Sequence, residues 1–132
     1  MNLFHKVASL ALVLASSFAL AENGVTEREI LIGQFAAISG PAAQLGQRMQ
    51  VGMQVYFNAV NAQGGVHGRA IKLITRDDGY EPEKAVAAVK ALIQEDRVFA
   101  LAGSVGTPTG LAALPVLTEQ QVPLVGMFTG AQ

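Results

Sequence analysis

Cysteine is absent from this chain. That excludes disulfides, thiolate metal sites, a cysteine nucleophile and a lipid attachment point on sulfur. Stability must then come from packing. Basic charge is also scarce. Nine Lys and Arg against ten Asp and Glu give a net charge of −1, with no basic patch. This argues against nucleic acid and anionic membrane surfaces as partners. Histidine occurs at His5 and His67 only. A hydrolytic triad would have one possible base outside the amino-terminal segment, and no setting for it. No G-x-G-x-x-G follows a strand, and neither G-x-x-x-x-G-K nor G-x-S-x-G occurs. The chain reads as a non-enzyme, with no cofactor and no metal implied.

What is present begins with an export signal. Lys6 and the free amino terminus make a short positive region, and Val7 to Leu14 is apolar except for Ser9. The run is short of the roughly 20 residues a membrane-crossing helix needs. Ala19-Leu20-Ala21 is a small-x-small cleavage site. Residues 1–21 are read as a signal peptide cleaved after Ala21, and the mature protein as periplasmic. The mature part, 22–132, is one domain's worth of chain or less.

Along it, strands alternate with amphipathic helices. Ile30 to Phe35 is a short run too apolar for a half-exposed strand, so it suits a central parallel one. Leu45, Met49, Met53, Phe57 and Val60 make one stripe at helical period, ending near Asn61 and stopped by Gly64-Gly65. Ala70 to Ile74 is a second strand, nearer an edge because it carries Lys72. Pro82, flanked by Glu81 and Glu83, opens a helix that buries Ala85, Val86, Val89, Leu92 and Ile93. Val98 to Ala102 is a third strand. Leu111 to Gln121 is a third helix, bent or broken by Pro115. Val122 to Met127 is a fourth strand. The expected fold class is α/β, an open parallel sheet with helices on both faces.

In such sheets ligands sit beyond the carboxyl ends of the strands. Those ends carry 36–44, 77–81, 103–109 and 128–131. The third loop offers Ser104, Gly106, Thr107 and Thr109 ahead of a helix whose first N–H groups lack intrahelical partners. Hydroxyls, amides and the dipole suit a carboxylate. The plainer reading is N-capping by Thr107 or Thr109. Asp77-Asp78 is expected to cap and end its strand while solvated, and His67 to be a surface residue. Met49 and Met53 are core residues.

These segments resemble the type I periplasmic binding proteins of ABC importers, specifically the leucine/isoleucine/valine-binding branch. The resemblance runs through Ser39-Gly40-Pro41-Ala42-Ala43-Gln44-Leu45-Gly46 and Asn61-Ala62-Gln63-Gly64-Gly65-Val66-His67-Gly68. It continues through Asp77-Asp78, Pro82, Ala85-Val86, Gly103 with its hydroxyl loop, and Pro123-Leu124-Val125. It implies two α/β lobes with an amino acid or similar small solute in the cleft between them, and ABC permease subunits as partners. It implies a carboxylate contact by Thr107, within the loop that carries Ser104, and a main-chain-rich contact at Phe128, Thr129 and Gly130. Leu45 falls at a side-chain wall position that is aromatic in the family. The resemblance puts the acidic ammonium partner in the second lobe.

On this reading residues 22–132 are part of a first lobe, the chain a fragment of the whole receptor. Alone, 22–132 is expected to be poorly soluble or partly molten. Two alternatives accompany it: a sensory domain on the same fold, and an inactive truncated product.

Overall fold

The computed structural model describes residues 22–130. The signal segment and its cleavage site lie outside the described residues. Strands and helices alternate as β1 (Glu29–Ala36), α1 (Ala43–Ala62), β2 (Ala70–Asp77), α2 (Pro82–Gln94), β3 (Ala100–Ala102), α3 (Thr107–Gln120) and β4 (Leu124–Val125). All strands are parallel, in the order β2-β1-β3-β4. The chain steps from β1 to β2 and then crosses to the other side of β1 for β3. That reversal puts a topological switch between β1 and β3, with a crevice beyond their carboxyl ends.

The apolar run of β1 suits its place between two neighbours. It pairs with β2 from Glu29↔Ala70 through Ala36↔Asp77. At the sheet edge, Lys72 stays exposed and pairs with Glu29. Side chains alternate across β1. Leu31 and Phe35 meet Val89 and Leu92 of α2, Val98 and Leu101 beside them, and Ala113 and Leu117 of α3. Phe35, Leu92, Leu101 and Val89 are fully buried. Each contributes about 1.5–3 kcal/mol by leaving water. Ile30 and Ile32 point to the opposite face, where Phe57 of α1 lies.

That second face is only half covered. α1 packs over β2 and β1. Its stripe residues Met49, Met53, Phe57 and Val60 are half-buried, and Leu45 at its start is exposed. An apolar opening of about 210 Å³ remains, bounded by Ile32, Phe57, Phe99 and Val125. Two devices seat α1. A Cβ at Gly46 would lie 2.0 Å from the Ala37 carbonyl oxygen, so only glycine allows this approach. At the other end, Asn61 donates to the Ile71 carbonyl and accepts from the Ile71 N–H, both at 2.8 Å.

α3, β3 and β4 differ from the sequence-based expectation. α3 starts at Thr107, four positions before Leu111, because Pro108 fits the first turn and the Thr109 hydroxyl bonds back to the Val105 and Gly106 carbonyls. α3 also runs unbroken through Pro115. Leu111 and Pro115 are both exposed, so the carbonyl that Pro115 leaves unpaired faces water. β3 and β4 are short. Arg97, at φ 53, turns the chain before β3, and Pro123 cannot donate to the ladder, so β4 begins after it.

Candidate ligand-binding site

Construction of the site begins at Gln34, fully buried near the end of β1. Its amide donates to the Gly103 carbonyl at 2.8 Å and accepts from the Thr75 hydroxyl at 2.9 Å. These bonds fix where the loop after β3 starts. Further out, the Gly106 N–H donates to the Phe128 carbonyl at 2.9 Å, and the Phe128 N–H donates to the Ser104 carbonyl at 2.8 Å. The loops after β3 and β4 are therefore stitched together by backbone bonds.

Gly106, at φ 117, turns the chain into α3, which starts without a side-chain cap. The capping expected of Thr107 or Thr109 does not form. The Thr109 hydroxyl is committed to carbonyls behind it. The Thr107 hydroxyl instead hydrogen-bonds to the Thr129 hydroxyl across the two loops.

Five of the six residues expected at the site, Leu45, Thr107, Phe128, Thr129 and Gly130, line one pocket of about 50 Å³. The sixth, Ser104, is fully buried, and its hydroxyl has no hydrogen-bond partner. An orphaned buried hydroxyl costs about 1–3 kcal/mol. Tyr80 completes the wall with Val105 and Gly106, and sequence reasoning missed it. The available signal was its place in Asp77-Asp78-Gly79-Tyr80, at the carboxyl end of a strand next to the switch point.

Among the described residues, no charged side chain lines the pocket. What it offers an anion is the α3 dipole, worth roughly half an elementary charge at the helix start, and two hydroxyls already in contact. The side-chain polar groups of its lining residues are the hydroxyls of Thr107, Thr129 and Tyr80. It is also far smaller than the roughly 300–1,000 Å³ of sites that enclose a ligand.

Asp77 and Asp78 part company. Asp77 is exposed, as expected, and accepts from the Ile38, Gly79 and Ser39 N–H groups at 2.8, 2.9 and 3.2 Å, and from the Ser39 hydroxyl. The hydroxyl bond leads, and together these hold its carboxyl down at about 2. Asp78 is fully buried, which corrects the expectation that both are solvated. Its N–H donates to the Ala36 carbonyl, extending the β1–β2 pairing by one residue, so the strand's alternation turns it inward. Its Oδ1 accepts the Tyr80 N–H at 2.8 Å, while Oδ2 has no partner. Burial pushes its pKa up.

Among the described residues, no cluster of His, Asp or Glu could hold a metal ion, and no helix is long and apolar enough to cross a membrane. His67 is exposed at φ 51 in the turn before β2.

The profile of the periplasmic binding protein family matches residues 29–132. An amino acid binding protein of Pseudomonas aeruginosa is 31% identical over 118 residues, covering 89% of this chain and 31% of that protein. The crystal structure of a possible leucine/isoleucine/valine-binding protein from Rhodopirellula baltica superposes with a TM-score of 0.76 at 36% identity, covering 86% of this chain and 30% of that one. The branched-chain amino acid transporter substrate binding protein LivJ of Streptococcus pneumoniae, in complex with isoleucine, gives 0.75 at 28%, over 80% of this chain and 30% of that one. The chain thus spans less than a third of the length of these relatives. Matched along nearly all of the described fold, the chain belongs to the type I periplasmic binding protein family, in its leucine/isoleucine/valine-binding branch.

Proposed function

We propose that residues 22–132 are part of the first lobe of an exported solute receptor, which hands an amino acid or similar small carboxylate to ABC permease subunits. The carrying observation is the Thr107–Thr129 hydroxyl pair at the uncapped start of α3, in a pocket without a charged side chain. A carboxylate entering there exchanges the hydroxyl–hydroxyl bond for two charge-assisted ones, and the helix dipole adds to them. Leu45 and Phe128 face the rest of the solute, and Gly130 lets it approach the main chain. Ser104 supplies a further hydroxyl below the loop.

The shallowness of the pocket supports a site finished by a second lobe, which also brings a partner for the ammonium group. The half-covered sheet face supports the same reading. Periplasmic location follows from cleavage after Ala21. The receptor carries out no chemistry on its solute.

A thermal-shift screen of the full-length protein against the twenty amino acids and small organic acids tests this. The expected result is a rise in melting temperature with one group of related carboxylates. That rise should fall about tenfold in ligand sensitivity with Thr107→Val, since a hydrogen bond to a charged group contributes about 1.5–3 kcal/mol. Equal affinity in Thr107→Val would remove the hydroxyl pair from the site.

A further inference from the structure

Tyr80 stands out among residues that the family resemblance did not assign. It lines the pocket beside Thr107, and its backbone sits at φ 65, a region that non-glycine residues seldom adopt. Such strain persists only where surroundings enforce it. Here the enforcing group is Asp78. Its fully buried carboxylate accepts the Tyr80 N–H, and its carbonyl accepts the Glu81 N–H at 2.8 Å, closing a tight turn.

The turn aims the ring at one place. At Gly106 an added Cβ would lie 2.7 Å from Tyr80 Cε2 and 3.2 Å from Cζ. The ring therefore rests against the backbone of the residue that turns the chain into α3, one position before Thr107. Gly106 is held from its other side by its N–H bond to the Phe128 carbonyl. The corner that presents Thr107 is clamped between an aromatic ring on the β2 loop and a backbone bond to the β4 loop.

We propose that Tyr80 is a positioning residue for the ligand site: its ring props the Gly106–Thr107 corner in place and walls the pocket beside the carboxylate position. This rests on the ligand-site reading given above. It extends that reading to a loop from the far side of the switch point, so that solute binding depends on β2 as well as β3 and β4. Because the contact is made by ring carbons Cε2 and Cζ rather than the hydroxyl, phenylalanine should replace tyrosine and an aliphatic or absent side chain should not.

The test compares Tyr80→Gly, Tyr80→Phe and the unaltered full-length protein. Glycine suits φ 65, so Tyr80→Gly removes the ring without adding backbone strain. Calorimetry with L-isoleucine and with benzoate reads binding. Amide hydrogen exchange at Gly106, without ligand, reads the corner itself. Tyr80→Gly should weaken the bound probe about tenfold and speed Gly106 exchange by a similar factor, while Tyr80→Phe, which keeps the ring carbons, stays within about threefold on both.

Unchanged Gly106 exchange in Tyr80→Gly overturns the proposal, as does a Tyr80→Phe as impaired as Tyr80→Gly. If neither probe binds the unaltered protein, the choice of solute fails separately, and the exchange rates still decide the role of Tyr80. Should Tyr80→Gly not fold, Tyr80→Asn, which also tolerates left-handed backbone, takes its place.

Discussion

Replacing Gln34 by Met isolates one polar contact under the site. The two side chains have similar length and flexibility, so the change leaves little cavity and introduces no strain. What it removes are the bonds to the Gly103 carbonyl and from the Thr75 hydroxyl. Gly103 is buried, so its carbonyl loses this donor with no water to replace it, at about 1–3 kcal/mol. Thr75 is half-buried, and its hydroxyl can turn toward solvent at a cost of a few tenths of a kcal/mol to about 1. Together these come to about 1–4 kcal/mol. Urea titration of the full-length protein and its Gln34→Met form, followed by far-UV circular dichroism, should show a lower midpoint with an unchanged slope. Hydrogen exchange should localise the loosening to residues 103–106. A destabilisation below about 0.5 kcal/mol would mean that Gln34 is not holding the loop, since it would lie under the net value of an ordinary hydrogen bond.

The other predictions concern the strand ends. Gly46→Ala should cost about 1–3 kcal/mol and shift α1, because a Cβ there would meet the Ala37 carbonyl at 2.0 Å; a neutral result in thermal melts would refute the close approach. Asp77 is held at about 2, below its unfolded value near 3.9, so its stabilisation is present above pH 4 and lost as pH falls toward 2. Ser39→Ala removes the leading cause and should flatten that loss, by no more than about 1 kcal/mol after solvent screening of this exposed group. Asp78 runs the other way. Its raised pKa means that stability is greatest below the unfolded value near 3.9 and declines as pH rises through the raised value, so Asp78→Asn should gain on the unaltered protein as pH rises above about 4. Parallel pH–stability curves for the two would contradict the burial argument.

Much of this arrangement was legible in residues 29–130. The central position of β1 followed from a run too apolar for a half-wet strand, and the edge position of β2 from Lys72. The stripe of α2 matched the packed residues, since Ala85, Val89 and Leu92 are all buried. Periodicity could not show where α3 begins, because its first turn is set by Pro108 and by the Thr109 hydroxyl, which both resemble loop chemistry in sequence. Nor could composition distinguish Asp77 from Asp78. Their opposite fates depend on one further backbone bond to Ala36, which decides the face each side chain takes. At the site, strand-end loops marked the region, and it was the family resemblance that grouped Leu45, Thr107 and Phe128–Gly130. Tyr80 escaped because its role depends on a left-handed turn and on the flatness of Gly106, neither of which has a periodic signature.

The hydroxyl pair of Thr107 and Thr129 has a consequence for selectivity. Each hydroxyl already has a hydrogen-bond partner in the other, so on the proposed reading solute binding would be an exchange of acceptors rather than the filling of a vacancy. An incoming group gains nothing by matching a hydroxyl; it must accept more strongly than one. An ionised carboxylate does, whereas its protonated acid or its primary amide does so far less. No Asp, Glu, His or Lys among the described residues lines the pocket wall, and the ionisable group nearest behind it is Asp78, which holds the Tyr80 N–H. On the proposed reading, the direct contact on this side would discriminate by the charge state of the solute's carboxyl group.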